Sequence, residues 1–432
     1  MLTLTTNWPL PNIPSKDDRV VLASQGIRIW TAETRLEFFD GNLKLAGADS
    51  PTLENIKHQQ RVAFTILSSG PDGPVQGSGI ARIMQGADNS CIEVEPYRIT
   101  CGEEQTYEFK LAGWSLVSEE APPDISMFTF WYQAFRAVTL PMSALPVLVG
   151  AAAAFFYGQF NWLYLVLALL GTVLAHAGAN AAADYFDFKK GVDLSRALSS
   201  HLGALARERV EPEMILLAAF ACFLFTAIIG LVLVYLVGWL LLLFGLGGLL
   251  GAFFYTGRPV SYKYRALGEL MLGILMGPVI VMGSYFLHTQ SWSWLLFLIS
   301  IALGMLVSSV SLVNNLRDLP DDKAAGIRTL PMTLGVSKTK SLYYFLTGCP
   351  YLLAAAAIAF DRSLWPVALI AVSVPQAVKT IQVLRRTKDD VEDIRQKSRA
   401  YPYPLYSIRL YVSFASLTVA GFVIAGLVKL IA

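Results

Sequence analysis

Charge is scarce in this 432-residue chain: 15% of residues are Asp, Glu, Lys or Arg, 54% are hydrophobic, and the mean hydropathy is +0.50. Water-soluble chains carry about 25% charged residues, so a single soluble domain is excluded, and so is a disordered tail. Cysteine is scarce as well. Cys91, Cys101, Cys222 and Cys349 form no C-x-x-C pair and flank no His cluster, which excludes a disulfide scaffold and argues against zinc. The residues before Lys16 lack an apolar run and hold Pro9, Pro11 and Pro14, so no signal peptide is expected. Nothing in the charge pattern points to a nucleic-acid partner.

The charge that is present is unevenly placed. Residues 1–126 hold 10 Lys+Arg and 17 Asp+Glu, and residues 127–432 hold 24 and 15, so the overall +2 is a cancellation. From about Phe128 the apolar stretches reach the roughly 20 residues needed to cross a bilayer. Nine are expected, near 132–156, 161–184, 213–236, 239–256, 266–288, 293–315, 341–360, 363–384 and 408–431. Connections after the second, fourth, sixth and eighth carry Lys and Arg in number, whereas the alternate ones carry Arg362 alone. Such a bias predicts that the basic loops and the N-terminal part face the cytoplasm and that the C-terminus lies opposite.

Two of the expected helix ends are unusual. The second span closes on Asn180, Asp184, Asp187 and Lys189, and the sixth on Asn314, Asp318, Asp321 and Lys323. The offset is 134 residues at all four positions, which suggests a duplicated four-helix unit. Spacings of i, i+4 and i+7 put Asn180, Asp184 and Asp187 on one helix face, and Asn314, Asp318 and Asp321 or Asp322 on another. Ionised Asp is costly in a bilayer, so two such clusters call for compensation. Mg²⁺ suits hard carboxylate oxygens shared with phosphates, and Lys189, Lys190, Arg317, Lys323 and Arg328 alongside are what a diphosphate needs. The competing reading is a cation channel or an ion-coupled transporter built on the same acidic helix pair.

These passages resemble the aspartate-rich motifs of the UbiA superfamily of intramembrane prenyltransferases, nearest to its 1,4-dihydroxy-2-naphthoate branch of menaquinone biosynthesis. Asp184-Tyr-Phe-Asp187-Phe-Lys-Lys-Gly191-Val-Asp193 is similar to the first motif, with Ala183 where the family commonly has Asn. Asn314-Asn-Leu-Arg317-Asp318, running through Asp322 and Lys323 to Arg328, is similar to the second. Phe254-Tyr255-Thr-Gly-Arg-Pro259, continuing to Arg265 and Glu269, is similar to the central loop. The resemblance implies Mg²⁺ on Asp184, Asp187, Asp318 and Asp322, with Asn180 and Asn314 steadying them. It implies a polyprenyl diphosphate held with Lys189, Lys263, Arg265, Arg317, Lys323 and Arg328, and places Asp193, Asp321 and Tyr255 among the substrate-binding residues. The allylic cation would attack an aromatic acceptor, most simply the naphthoate, with hydroxybenzoate, homogentisate or a lipid as alternatives.

Residues 19–116 alternate in short strand-like runs with Asp40-Gly41 as a hairpin turn and a helix start at Ser50-Pro51. His58-Gln-Gln-Arg61 and the run from Gly77 to Ile83 resemble the split-barrel family of pyridoxamine-phosphate oxidases. The expected fold is therefore an all-α polytopic membrane protein with nine transmembrane helices, two four-helix repeats plus one, preceded by a small soluble split β-barrel. Its domains would be residues 1–120, a linker at 121–127 and the membrane part at 128–432. The barrel would serve docking or dimerisation, with a bound flavin the less favoured use.

Overall fold

The computed structural model describes residues 126–189, 212–324, 327–400 and 402–431, together with eight strands between residues 19 and 116. The chain divides into two units, 1–126 with 187–209, and 127–186 with 210–432.

In the first unit the strands are β1 (Arg19–Ser24), β2 (Ala32–Phe39), β3 (Asn42–Ala46), β4 (Arg61–Leu67), β5 (Val75–Gln85), β6 (Ser90–Cys101), β7 (Gln105–Lys110) and β8 (Gly113–Leu116). All pairings are antiparallel, in the order β3-β2-β1-β4-β5-β6-β7-β8, with β3 also paired to β6. Phe39 pairs with Asn42, and the expected turn residues Asp40 and Gly41 between them lie outside the described residues. Strand pairing alone does not identify a family, because closed antiparallel sheets occur in many. The split-barrel assignment is therefore withdrawn. The capped helix start at Ser50-Pro51 lies outside the described residues.

Among the described residues the second unit is built of helices, and eight of them, not the expected nine, are long and apolar enough to cross a membrane. They are Ala137–Phe156, Trp162–Phe186, Glu213–Val237, Gly268–Thr289, Trp294–Arg317, Val336–Phe360, Arg362–Arg385 and Tyr403–Ile431. The fourth expected span is instead the 14-residue helix Leu241–Phe254. At 1.5 Å per residue it reaches about 21 Å, short of a hydrocarbon core of about 30 Å. Gly238, at φ +122°, breaks the chain before it. The arrangement as two four-helix repeats plus one falls with the count.

The short helix nevertheless joins opposite ends of the bundle. Leu241 packs with Leu233 and Leu287 at one end. At the other, Lys263 N–H donates to the Tyr255 carbonyl at 3.0 Å and Ala266 N–H to Arg328 at 2.8 Å. The fifth span is the buried axis. Its Leu303, Leu306 and Val310 share a core with Val149 and Ala153 of the first span and with Tyr411 and Phe414 of the eighth. Outward residues such as Leu217, Leu224, Leu231 and Leu243 are exposed, as suits contact with lipid.

Glycine lets the fourth span cross the fifth closely. A Cβ on Gly304 would lie 2.3 Å from the Gly273 carbonyl oxygen, and one on Gly277 would lie 2.4 Å from that of Ser300. Polar contacts pin the same crossing. Buried Glu269 accepts from Asn315 Nδ2 at 2.8 Å through Oε1, and its carbonyl accepts from Ser308 Oγ at 2.8 Å. Glu269 Oε2 is buried without a hydrogen-bond partner.

Two outcomes follow for thermal unfolding in nanodiscs. Gly304→Leu should destabilise by about 1–3 kcal/mol through overpacking, whereas Gly348→Leu, at a position with open space, should stay near wild type. Asn315→Ala, which orphans the second Glu269 oxygen, should cost about 1–3 kcal/mol, and Glu269→Gln should be the milder change.

Candidate functional site

Hydrogen bonds carry the acidic end of the second span round to that of the fifth. Asn180 Nδ2 donates to the Phe135 carbonyl at 3.0 Å, Tyr411 OH to the Met142 carbonyl at 2.7 Å, and Tyr343 OH meets Ser407 Oγ at 2.7 Å. Tyr343 and Tyr403 then pack with Leu312, Val313 and Leu316. Asp184 and Asp318 thus lie at the same end of the bundle. The opposite end holds Tyr157, His288 and Lys429, whose ammonium lies 5.1 Å from the Phe156 ring centre.

On the second span, three successive turns bond to the start of the first. His176 Nδ1 is 3.0 Å from Ser143 Oγ. Asn180 reaches Phe135 O and, at 3.3 Å, Thr139 Oγ1. Asp184 forms an ion pair with Arg136. Arg136 has a left-handed backbone, φ 49°, between the helix Met127–Ala134 and the first span, and its carbonyl accepts from Thr139 Oγ1 at 2.8 Å. The expected first span, 132–156, is therefore interrupted at Arg136, while Pro141 sits in the first turn of the helix that follows, where its missing N–H costs nothing.

At the fifth span, Arg317 grips the adjacent Asp318 with both ends of its guanidinium, Nε–Oδ1 at 2.6 Å and Nη2–Oδ2 at 2.9 Å. Asp322 is fully buried, its N–H bonded to the Asp318 carbonyl at 2.9 Å. The loop 255–267 adds buried Lys263, whose ammonium sits 5.9 Å from the Tyr255 ring centre and 5.5 Å from that of Tyr264. Tyr255 and Tyr262 meet edge to face at 5.5 Å. Burial raises the Tyr262 phenol well above its ordinary pKa, so it stays protonated and donates to the Gly251 carbonyl. Arg265 and Arg328 are joined by a parallel β-bridge, which brings the central loop to the second acidic motif. Arg265 Nη2 also donates to the Pro259 carbonyl at 3.1 Å.

Of the residues singled out from sequence, Asn180, Asp184, Tyr255, Lys263, Arg265, Asn314, Arg317, Asp318, Asp322, Lys323 and Arg328 belong to this end. The side chains of Asp187, Lys189, Asp193 and Asp321 lie outside the description, as does any flavin contact of the first unit. The two motifs do not use their asparagines alike, since Asn315, not Asn314, bonds to Glu269. Arg136 and His176 were missed. His176, Asn180 and Asp184 have i, i+4, i+8 spacing, and that signal was readable. Among the described residues no three of His, Cys, Asp and Glu form a metal-holding group. The carboxylates of Asp184, Asp318 and Asp322 nonetheless have the hard-oxygen chemistry that Mg²⁺ takes.

The UbiA prenyltransferase family model matches residues 143–401. The chain is 34% identical over 217 residues to a 1,4-dihydroxy-2-naphthoate octaprenyltransferase of Bacillus subtilis, covering 50% of this chain and 70% of that protein. It is 34% identical over 219 residues to the Mycobacterium tuberculosis protein of the same name, covering 51% and 74%. Among solved structures, a UbiA homolog from Archaeoglobus fulgidus bound to GPP and Mg²⁺ aligns at a TM-score of 0.47 and 14% identity, over 67% of this chain and 99% of that one. The chain belongs to the UbiA prenyltransferase family, and it is a prenyl-transferring enzyme of the membrane.

Proposed function

We propose that the enzyme transfers a polyprenyl group from a polyprenyl diphosphate to 1,4-dihydroxy-2-naphthoate, with the acceptor's carboxylate leaving as carbon dioxide, to give the prenylated hydroquinone demethylmenaquinol. The observation that carries this reading is that Asp184, Asp318 and Asp322 share one end of the bundle with Lys263, Arg265 and Arg328. The acceptor follows from the relatives, several of which are named as 1,4-dihydroxy-2-naphthoate octaprenyltransferases.

Asp184, Asp187, Asp318 and Asp322 would hold Mg²⁺, which when bound supplies positive charge to the leaving diphosphate. Lys189, Lys263, Arg265, Arg317, Lys323 and Arg328 add charge of the same sign, so the C–O bond breaks toward a neutralised diphosphate. Lys263 lies against the rings of Tyr255 and Tyr264, and these contacts help to hold it in place. Tyr255 offers a ring face to the allylic cation. Asp193 and Asp321 would join the substrate-binding residues, and the Asn314 carbonyl receives the Asp318 N–H at the helix end. The prenyl chain lies along apolar helix faces open to lipid. Lys and Arg crowd the loops at this end, which supports a cytoplasmic site and N-terminal part with the C-terminus opposite. A cation-conducting path is disfavoured, because both Asp184 and Asp318 are met by an arginine.

Purified enzyme in nanodiscs should convert 1,4-dihydroxy-2-naphthoate and a polyprenyl diphosphate to a decarboxylated, prenylated product only when Mg²⁺ is added, as read by mass spectrometry. Asp184→Ala and Asp318→Ala should each lower turnover by about 10²-fold or more. Product from hydroxybenzoate or homogentisate in place of the naphthoate would overturn the acceptor. Full turnover by both alanine variants would overturn the site.

A further inference from the structure

The two acidic helix ends share a feature that the sequence repeat did not announce: Asp184 and Asp318, which correspond at the 134-residue offset, are each met by an arginine. Arg136 pairs with Asp184, and Arg317 grips Asp318 through two bonds of 2.6 and 2.9 Å. The two arginines arrive by different routes. Arg317 is the chain neighbour of its aspartate, whereas Arg136 comes from 48 residues away, across to the start of the first span. Its delivery is over-determined. A left-handed backbone is uncommon for a non-glycine residue and persists where its surroundings enforce it. Here Asn180 holds the carbonyl of Phe135 and the hydroxyl of Thr139, and Thr139 holds the carbonyl of Arg136 itself.

Asn180 therefore spends its amide on the turn that carries Arg136. The pairs are also accessible. The side chains of Arg136 and Asp184 are 41% and 28% exposed, and those of Arg317 and Asp318 are 37% and 15%. Ion pairs this exposed contribute little stability. Each pair sums to zero charge, so Asp184 and Asp318 each have a cation beside them before any ligand arrives.

We propose that Arg136 and Arg317 are resident counter-ions, which a divalent cation must displace to reach Asp184 and Asp318, and that Asn180 is the positioning residue that sets Arg136 in place. This rests on the metal-dependent reading of the site given above. A cation arriving alone must compete with a guanidinium already in position. A cation arriving with diphosphate brings an anion to which the displaced guanidinium can turn, so the two ligands favour each other. Coupling between ligands of this kind is typically about 5- to 150-fold.

The test is Mn²⁺ binding to the full-length protein in nanodiscs, followed by electron paramagnetic resonance, with thermal unfolding recorded for every variant. Without diphosphate, Arg136→Gln and Arg317→Gln should each bind Mn²⁺ about tenfold more tightly than wild type. Arg386→Gln, a charge removal with no aspartate partner among the described residues, should stay within about twofold, which separates direct competition from the general field. Asn180→Ala should also tighten Mn²⁺ binding because it releases Arg136, whereas weaker binding would make Asn180 a metal ligand and overturn its positioning role. Adding inorganic pyrophosphate should tighten Mn²⁺ binding to wild type more than to Arg136→Gln. If neither arginine variant gains affinity while Mg²⁺ still supports prenyl transfer, the counter-ion inference fails and the functional reading stands. A gain in one variant alone overturns the inference for the other aspartate. If Mn²⁺ binds no form of the protein even with pyrophosphate, both fail.

Discussion

A carboxylate at the end of a membrane helix needs positive charge close by, and that requirement organises the helical unit. Ionised aspartate is costly within a bilayer. The chain meets the cost by bringing Asp184 and Asp318 to the same end and giving each an arginine. The break before the first span, the left-handed Arg136 and the Asn180 clamp all serve that delivery. On the fifth span Arg317 does it locally. A bundle poor in charge can concentrate its few charges here because the rest of its surface meets lipid and its core is apolar.

The close glycine contacts of the fourth and fifth spans have a functional consequence through the same geometry. Gly273, Gly277 and Gly304 let the two backbones approach, and Glu269 then reaches Asn315 at the base of the acidic helix end. The loop that precedes Glu269 delivers Lys263 and Arg265, and Arg265 bridges to Arg328. Packing in the bundle is thereby linked to the placement of cations around the aspartates. Mutations at the glycines would reach the site without touching it.

Much of this was legible in the residues because rare polar types stand out against an apolar background. The paired Asn/Asp ends, the basic loops and the family resemblance were all visible. The helix count was misread at 239–256, since hydropathy reports composition, whereas Gly238 and the 255–267 loop decide where the helix stops. Arg136 was not visible as a site residue because its partner lies 48 residues away, and pairing at that distance is set by tertiary packing. Asn314 and Asn315 could not be ranked from the repeat. Their roles depend on Glu269, which has no counterpart in the first motif. The strand-like runs of the N-terminal part were readable as strands, but pairing order does not fix ancestry or ligand.

The central claim is that the aspartates of the second and fifth spans act on one diphosphate as a single site. A double-mutant cycle with Asp184→Asn and Asp318→Asn, reading calorimetric binding of inorganic pyrophosphate in the presence of Mg²⁺, tests it most directly. The account expects strong non-additivity, with the double variant losing little more affinity than either single one. Additive losses would mean two independent sites and would contradict it.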